Sequence, residues 1–122
     1  MSKENSTVSL SLANDAHLKD FVEEDIFIDE TAGYKFAIAY AIDNSLSPLS
    51  DTGKRKTKFA IGSLDPANEL RDAVKFLHPD APEESDKLLD FLQGLSEAGL
   101  SALAQIKKDT FDLDLSELLK NK

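Results

Sequence analysis

The sequence predicts a mainly α protein, a compact helical domain of four to five helices with a short N-terminal strand. Three observations lead there. Apolar residues recur at three- and four-residue spacing over most of the chain. Capping and breaking residues punctuate those stretches at helical lengths. One short segment, residues 7–12, alternates with the period of a strand. A chain of 122 residues, 41% hydrophobic and 30% charged, has the composition of one globular domain with a real core.

Residues 1–6 are polar and are expected to be a disordered leader, residues 7–108 a single helical domain, and 109–122 a C-terminal helix or interaction tail. In 7–12, Val8, Leu10 and Leu12 point one way and Thr7, Ser9 and Ser11 the other, the pattern of a half-buried strand. Asn14 or Asp15 then caps a helix reaching about Glu24, with Leu18, Phe21 and Val22 as its apolar stripe. Residues 25–30 form a connection that tucks Ile26, Phe27 and Ile28 inward. Residues 31–42 carry two signals at once. Tyr34, Phe36, Ile38, Tyr40 and Ile42 alternate as in a strand, but the intervening alanines favour a helix. With Asp29 or Thr31 as cap, and Tyr34, Ile38 and Ile42 in one row, the segment is expected to be a central helix buried on most sides.

Residues 43–57, rich in Ser, Asn and Asp, read as a loop, and 58–64 as a short strand or an ordered lead-in. Asp65-Pro66 is a helix start with Pro at the first position, Leu70, Ala73, Val74 and Leu77 form the stripe, and Pro79 ends it. Ser85 caps the next helix, with Leu88, Leu89, Leu92 and Leu95 inward. Gly94 weakens that helix, and Gly99 is expected to end it before a last helix with Leu100, Leu103 and Ile106.

The charge is uneven. Residues 1–50 hold three lysines against nine acids, a balance of −6; residues 51–78 hold six bases against four acids, +2; residues 79–122 hold five lysines against ten acids, −5. One basic island, 53–58, thus sits between two acidic blocks. The overall charge of −9 repels nucleic acid and anionic membrane from most directions and suits solubility, or docking on a basic protein surface. DNA contact is confined to Lys54, Arg55, Lys56 and Lys58. With no cysteine there is no disulfide, thiolate nucleophile or zinc finger. The longest apolar stretch, 36–42, is too short to span a bilayer, and the start lacks a secretory apolar region, so a cytoplasmic protein without membrane contact is expected.

No enzyme signature is found, and no cofactor or metal is expected. His17 lies on an early helix, and His78, at a helix C-terminus, is accounted for by the helix dipole. The acids lack metal-ligand spacing, and Asp112-Leu113-Asp114 lacks the glycine of a calcium loop. The five glycines are scattered and form no phosphate-cradling loop. Interaction features stand out instead. Phe111, Leu113, Leu115, Leu118 and Leu119, set among acids, either close the core as a final helix or order on a partner. The helix 31–42 serves a monomer core or an oligomer interface.

Two family resemblances follow. Thr7-Val8-Ser9-Leu10-Ser11-Leu12, with helices at 15–24 and 31–44, resembles a ribbon-helix-helix module, which implies a dimeric DNA-binding regulator or antitoxin reading bases through Thr7, Ser9 and Ser11. More of the chain, roughly 18–104, resembles DndE, the small E subunit of bacterial DNA phosphorothioation systems. The likeness lies in the Ala-rich 32–42 followed by Ser45-Leu46, in the lead-in Phe59-Ala60-Ile61-Gly62, and in the helix pair 88–103 with Gly99. This resemblance implies a non-enzymatic, oligomeric helical subunit of a DNA-modification or defence assembly, with surface lysines 54, 56 and 58 and Arg55 as DNA contacts. Protein–protein contact is its expected mode of action.

Overall fold

The computed structural model describes residues 7–49 and 53–110. In chain order these form strand β1 (Thr7–Ser11), helices α1 (Leu12–Glu23) and α2 (Glu30–Asp43), strand β2 (Arg55–Ala60), the single turn α3 (Ile61–Leu64), and helices α4 (Glu69–Leu77) and α5 (Ser85–Thr110). The predicted class holds: helices dominate, and the N-terminal strand is half of a two-stranded antiparallel pair.

In β1, Val8 and Leu10 are fully buried as the alternation requires, but Leu12 is exposed because the strand stops one residue earlier. Ser11 ends it and caps α1, its hydroxyl accepting from the Asn14 N–H at 3.2 Å. The helix therefore starts before Asn14 and Asp15, and both of those side chains are freed for contacts elsewhere. The C-terminus of α1 closes with Asp25 in the left-handed region, the Asp25 N–H bonding Val22 and the Ile26 N–H bonding Phe21. This turn sends Phe27 into the core but leaves Ile28 90% exposed, against the expectation that all three apolar residues of the connection face inward.

The ambiguous segment is a helix. Asp29 caps α2 by accepting from the Ala32 N–H at 2.8 Å, and Gly33, Tyr34, Ala37, Ile38 and Ala41 form its buried face. The end of α2 repeats the closing motif of α1. Ser45, at φ 56°, lets its own N–H bond Ile42 and the Leu46 N–H bond Ala41. Serine in this conformation is strained by about 1 kcal/mol relative to glycine. Ser45→Gly is accordingly expected to stabilise the fold by about 0.5–1 kcal/mol, read as a raised urea midpoint at unchanged slope.

Strand β2 begins within the segment read as loop, at Arg55–Thr57, and ends in Lys58–Ala60, the start of the segment read as a short strand or lead-in. It pairs with β1 in the register Val8↔Phe59, Ser9↔Thr57 and Ser11↔Arg55, with Lys58 as the extra residue of a bulge. Its side chains are largely exposed, so ladder hydrogen bonds rather than an apolar face define it. The helix start at Asp65-Pro66 also moves. Leu64 and Ile61 are buried in α3, the chain turns through Pro66, and α4 begins after Asn68. Asp65 still serves α4, from outside it, accepting from the N–H groups of Leu70 at 2.9 Å and Arg71 at 3.0 Å. Because the Arg71 guanidinium is drawn inward onto Asp65, the buried residues of α4 are Arg71 and Val74, with Leu70 half-buried beside them, and Ala73 and Leu77 of the predicted stripe face out.

The largest departure is α5. It is one helix of 26 residues, about 39 Å long, rather than two broken at Gly99. Its middle, from Leu92 to Leu103, is the axis around which the other elements pack. Both glycines are packing gaps. A Cβ on Gly99 would lie 2.0 Å from the Ala37 carbonyl oxygen of α2, and one on Gly94 would lie 2.5 Å from Pro48 Cβ. Among the described residues no helix is long and apolar enough to cross a membrane.

Candidate functional site

The basic island does not form one outward patch. Arg55 turns back across β1, donating from Nε to Ser9 Oγ at 2.7 Å and from Nη2 to the Ser9 carbonyl at 2.9 Å. Its Nη1 lies 3.2 Å from Glu97, a carboxylate wholly buried in the middle of α5, and the Arg55 side chain is 29% exposed. Glu97 accepts from the Ser11 N–H at 2.6 Å, the Ser11 hydroxyl at 2.8 Å and Asn14 Nδ2 at 2.6 Å. One turn earlier, Gln93 Oε1 accepts from both the N–H and the hydroxyl of Ser9, each at 2.8 Å. Gln93 and Glu97, spaced i and i+4, therefore satisfy the edge of β1 that faces away from β2, the role a third strand would otherwise fill.

Lys58 is likewise turned inward by the bulge. Its side chain is 7% exposed, with Nζ 2.5 Å from Asp15 and paired with Glu30 as well. Asp15 also holds Lys19 at 3.1 Å and Lys56 at 3.7 Å. Burial works against ionisation of Asp15, yet the hydrogen bonds and charges of Lys58 and Lys19 outweigh it and hold the carboxyl below the usual range. Burial also lowers the Lys58 ammonium, and Asp15 and Glu30 outweigh that and raise it above the ordinary lysine value. Lys56 is held below its ordinary value by Lys19 beside it. Lys54, Arg55 and Lys56 are exposed residues of the island, Arg55 with its guanidinium turned back onto Ser9 and Glu97.

The buried pairs predict the response to pH. Asp15 and Asp65 are both depressed, Asp65 because the Leu70 and Arg71 donors outweigh its burial. Groups lowered on folding stabilise the fold above their unfolded value, about pH 4, and that contribution is lost as pH falls through the folded value. Lys58 is raised, and burial raises the Tyr34 phenol well above its ordinary value. Their contributions are present below about pH 10 and lost as pH rises further. The urea midpoint is expected to be flat between these limits and to fall on both sides. A midpoint unchanged from about pH 5 to pH 2 would contradict the buried carboxylate pairs.

Among the described residues, three of the clefts between the elements stand out. One of about 550 Å³ lies between α1 and the end of α5, lined by His17, Asp20, Phe21 and Lys107 among others. Lys107 pairs there with Glu24 and lies over the Phe21 ring. The other two, about 510 and 430 Å³, flank the Pro48-Leu49 segment where it crosses α5, and they share Pro48 and Phe91. The smaller is bordered by Leu46, Leu77, His78 and Asp80. His78 stands edge-on to Phe91 with centroids 4.7 Å apart, and its Nδ1 accepts from the Asp80 N–H at 3.2 Å, so it builds the cleft wall. Two of the large apolar side chains that line this pair of clefts are exposed, Leu49 by 44% and Leu77 by 57%.

Among the described residues no group of His and acidic side chains is arranged to hold a metal ion. The tail positions Phe111, Leu113, Leu115, Leu118 and Leu119, and the leader 1–6, lie outside the described residues. Comparison of the chain with family models, curated proteins and solved structures finds no match.

Proposed function

We propose that this chain is a small non-enzymatic interaction subunit of a DNA-modification or defence-type assembly, acting mainly through protein–protein contacts in the cytoplasm. The observation that carries the reading is the apolar surface around Pro48 and Phe91. Leu49 and Leu77 are exposed and line two adjoining clefts, whereas the charged groups Glu97, Asp15 and Asp65 are matched by Arg55, Lys58 and Arg71. Exposed apolar surface next to concave surface is where protein partners bind, and internally matched charges hold a fold together. The layout resemblance to DndE supports the DNA-related setting, and any contact with phosphate runs through Lys54 and Lys56 of the island.

The ribbon-helix-helix alternative requires β1 to pair with β1 of a second copy. Here β2 takes one edge of β1, and Gln93 and Glu97 take the other, which favours the first reading. Purification of the full chain with the proteins encoded beside it tests the proposal. A stable complex is expected, and a chain that binds none of them overturns it.

A further inference from the structure

The segment 65–83, which carries α4, closes its polar contacts on itself. Asp65 accepts from the Leu70 and Arg71 N–H groups and from Arg71 Nε, and Arg71 Nη2 donates to the Asp65 carbonyl at 2.8 Å. Asn68 Nδ2 donates to Asp72 at 2.9 Å. The Asp72 N–H bonds Asn68, the His78 N–H bonds Val74, and the Asp80 and Ala81 N–H groups both bond His78. Among the described residues, the one hydrogen bond that leaves the segment runs from the Asp65 N–H, at its first residue, to the Ile61 carbonyl. The other elements are tied across the fold. Gln93 and Glu97 of α5 hold β1 and α1, Glu30 of α2 pairs with Lys58 of β2, and the Leu49 N–H bonds the Gly94 carbonyl at 3.1 Å.

Apolar contact holds this segment down. Val74 is wholly buried, Leu70 and Ala81 pack half-buried against the core, and the His78 ring stands 4.7 Å from Phe91. Its attachment points are fixed, because Leu64 is buried in α3 and the Glu84 carbonyl accepts from the Leu88 N–H at the start of α5. Asp65 and Arg71 are buried too, but their pair lies inside the segment, so an outward swing hydrates both without parting them and strands no charge. Leu77, His78 and Asp80 line the cleft of about 430 Å³ together with Ile42, Leu46 and Phe91. We infer that residues 65–83 are a flap that turns as one body, hinged at 64–65 and 82–84, and that its opening widens this cleft. The use of the flap rests on the interaction-subunit reading: it sets how much of the Ile42, Leu46 and Phe91 surface a protein partner reaches.

The test uses the full chain, which has no cysteine, so a single introduced thiol reports its own exposure. Val74→Cys places a thiol under the flap, and Leu100→Cys places one in the wholly buried face of α5. Labelling with a maleimide dye is followed in native buffer and in low urea, and circular dichroism verifies that both variants are folded. Val74→Cys is expected to label at least about tenfold faster than Leu100→Cys, with a shallower urea dependence, because opening the flap exposes less surface than global unfolding. The change at Leu100 leaves a cavity, which speeds labelling of that variant and makes the comparison strict. The opening constant from the Val74→Cys thiol is also expected to exceed that from amide exchange at Leu70 and Arg71, whose bonds to Asp65 persist in the open form. Equal labelling rates with equal urea dependence would show that Val74 is reached through global unfolding, and overturn the inference. Agreement of the thiol and amide constants would show that α4 melts instead of swinging, and overturn it as well. Neither result bears on whether co-encoded proteins co-purify with the chain, so the two proposals fail separately.

Discussion

Replacing Gly99 with alanine is expected to destabilise the fold by about 3 kcal/mol, because the added methyl has a backbone, not a side chain, in its way. The Cβ would meet the Ala37 carbonyl oxygen at 2.0 Å and its carbon at 2.7 Å, so α2 and α5 must move apart as rigid bodies. That separation loosens every contact along the main helix pair, from Tyr34 to Ala41. In an isolated helix the same change is stabilising by nearly 1 kcal/mol, so the sign of the effect distinguishes a packing gap from a helix glycine in open space. Thermal and urea unfolding of Gly99→Ala give the measurement. A stability equal to or above that of the unaltered protein would contradict the close approach of α5 to Ala37 at Gly99.

Glu97→Ala is expected to cost about 3 kcal/mol or more. It strands the Ser11 N–H, the Asn14 amide and the Arg55 guanidinium, all oriented on one buried carboxylate. Glu97→Gln keeps an oxygen for the Ser11 N–H but loses the charge facing Arg55, and a smaller loss is expected. Amide hydrogen exchange adds a local reading. The Ser9 and Ser11 N–H groups bond α5 side chains rather than a strand, so Glu97→Ala should release Ser11 first while Ser9, held by Gln93, keeps more protection.

Much of the helical frame was legible in the sequence because it rests on local chemistry. The Asp29 cap and the alanines of 31–42 outweigh the strand-like alternation, and α2 forms as expected. Reading failed where a tertiary contact reverses the local meaning of a residue. Gly94 and Gly99 are helix breakers by propensity and close-approach points by position. The first half of strand β2, Arg55–Thr57, has exposed side chains and a partner more than forty residues away, so no periodicity marks it, whereas Lys58–Ala60 fall in the segment read as a strand or lead-in. Arg71 carries a charge and is nonetheless inward, held by Asp65, which rotates the stripe of α4 and leaves Leu77 outside.

The internal use of the island was the least legible feature. Lysines and arginines in a run read as solvated, and their acidic partners lie on α1, α2 and α5. One signal was present. Glu97 is the single charged residue between Asp90 and Lys107, in a stretch otherwise suited to a core. A lone acid there calls for a buried cation and donors, which Arg55, Ser11 and Asn14 supply.

The central proposal is that the chain acts through the apolar surface around Pro48 and Phe91 and not through Lys54 and Lys56. It is tested most directly by co-purifying the co-encoded proteins with the full chain and with two variants, Leu77→Ser, at a cleft-lining side chain that is 57% exposed, and the double substitution Lys54→Ala and Lys56→Ala. Leu77→Ser is expected to lose the complex and the double lysine variant to retain it. A complex that survives Leu77→Ser and is lost with the two lysines would contradict the proposal.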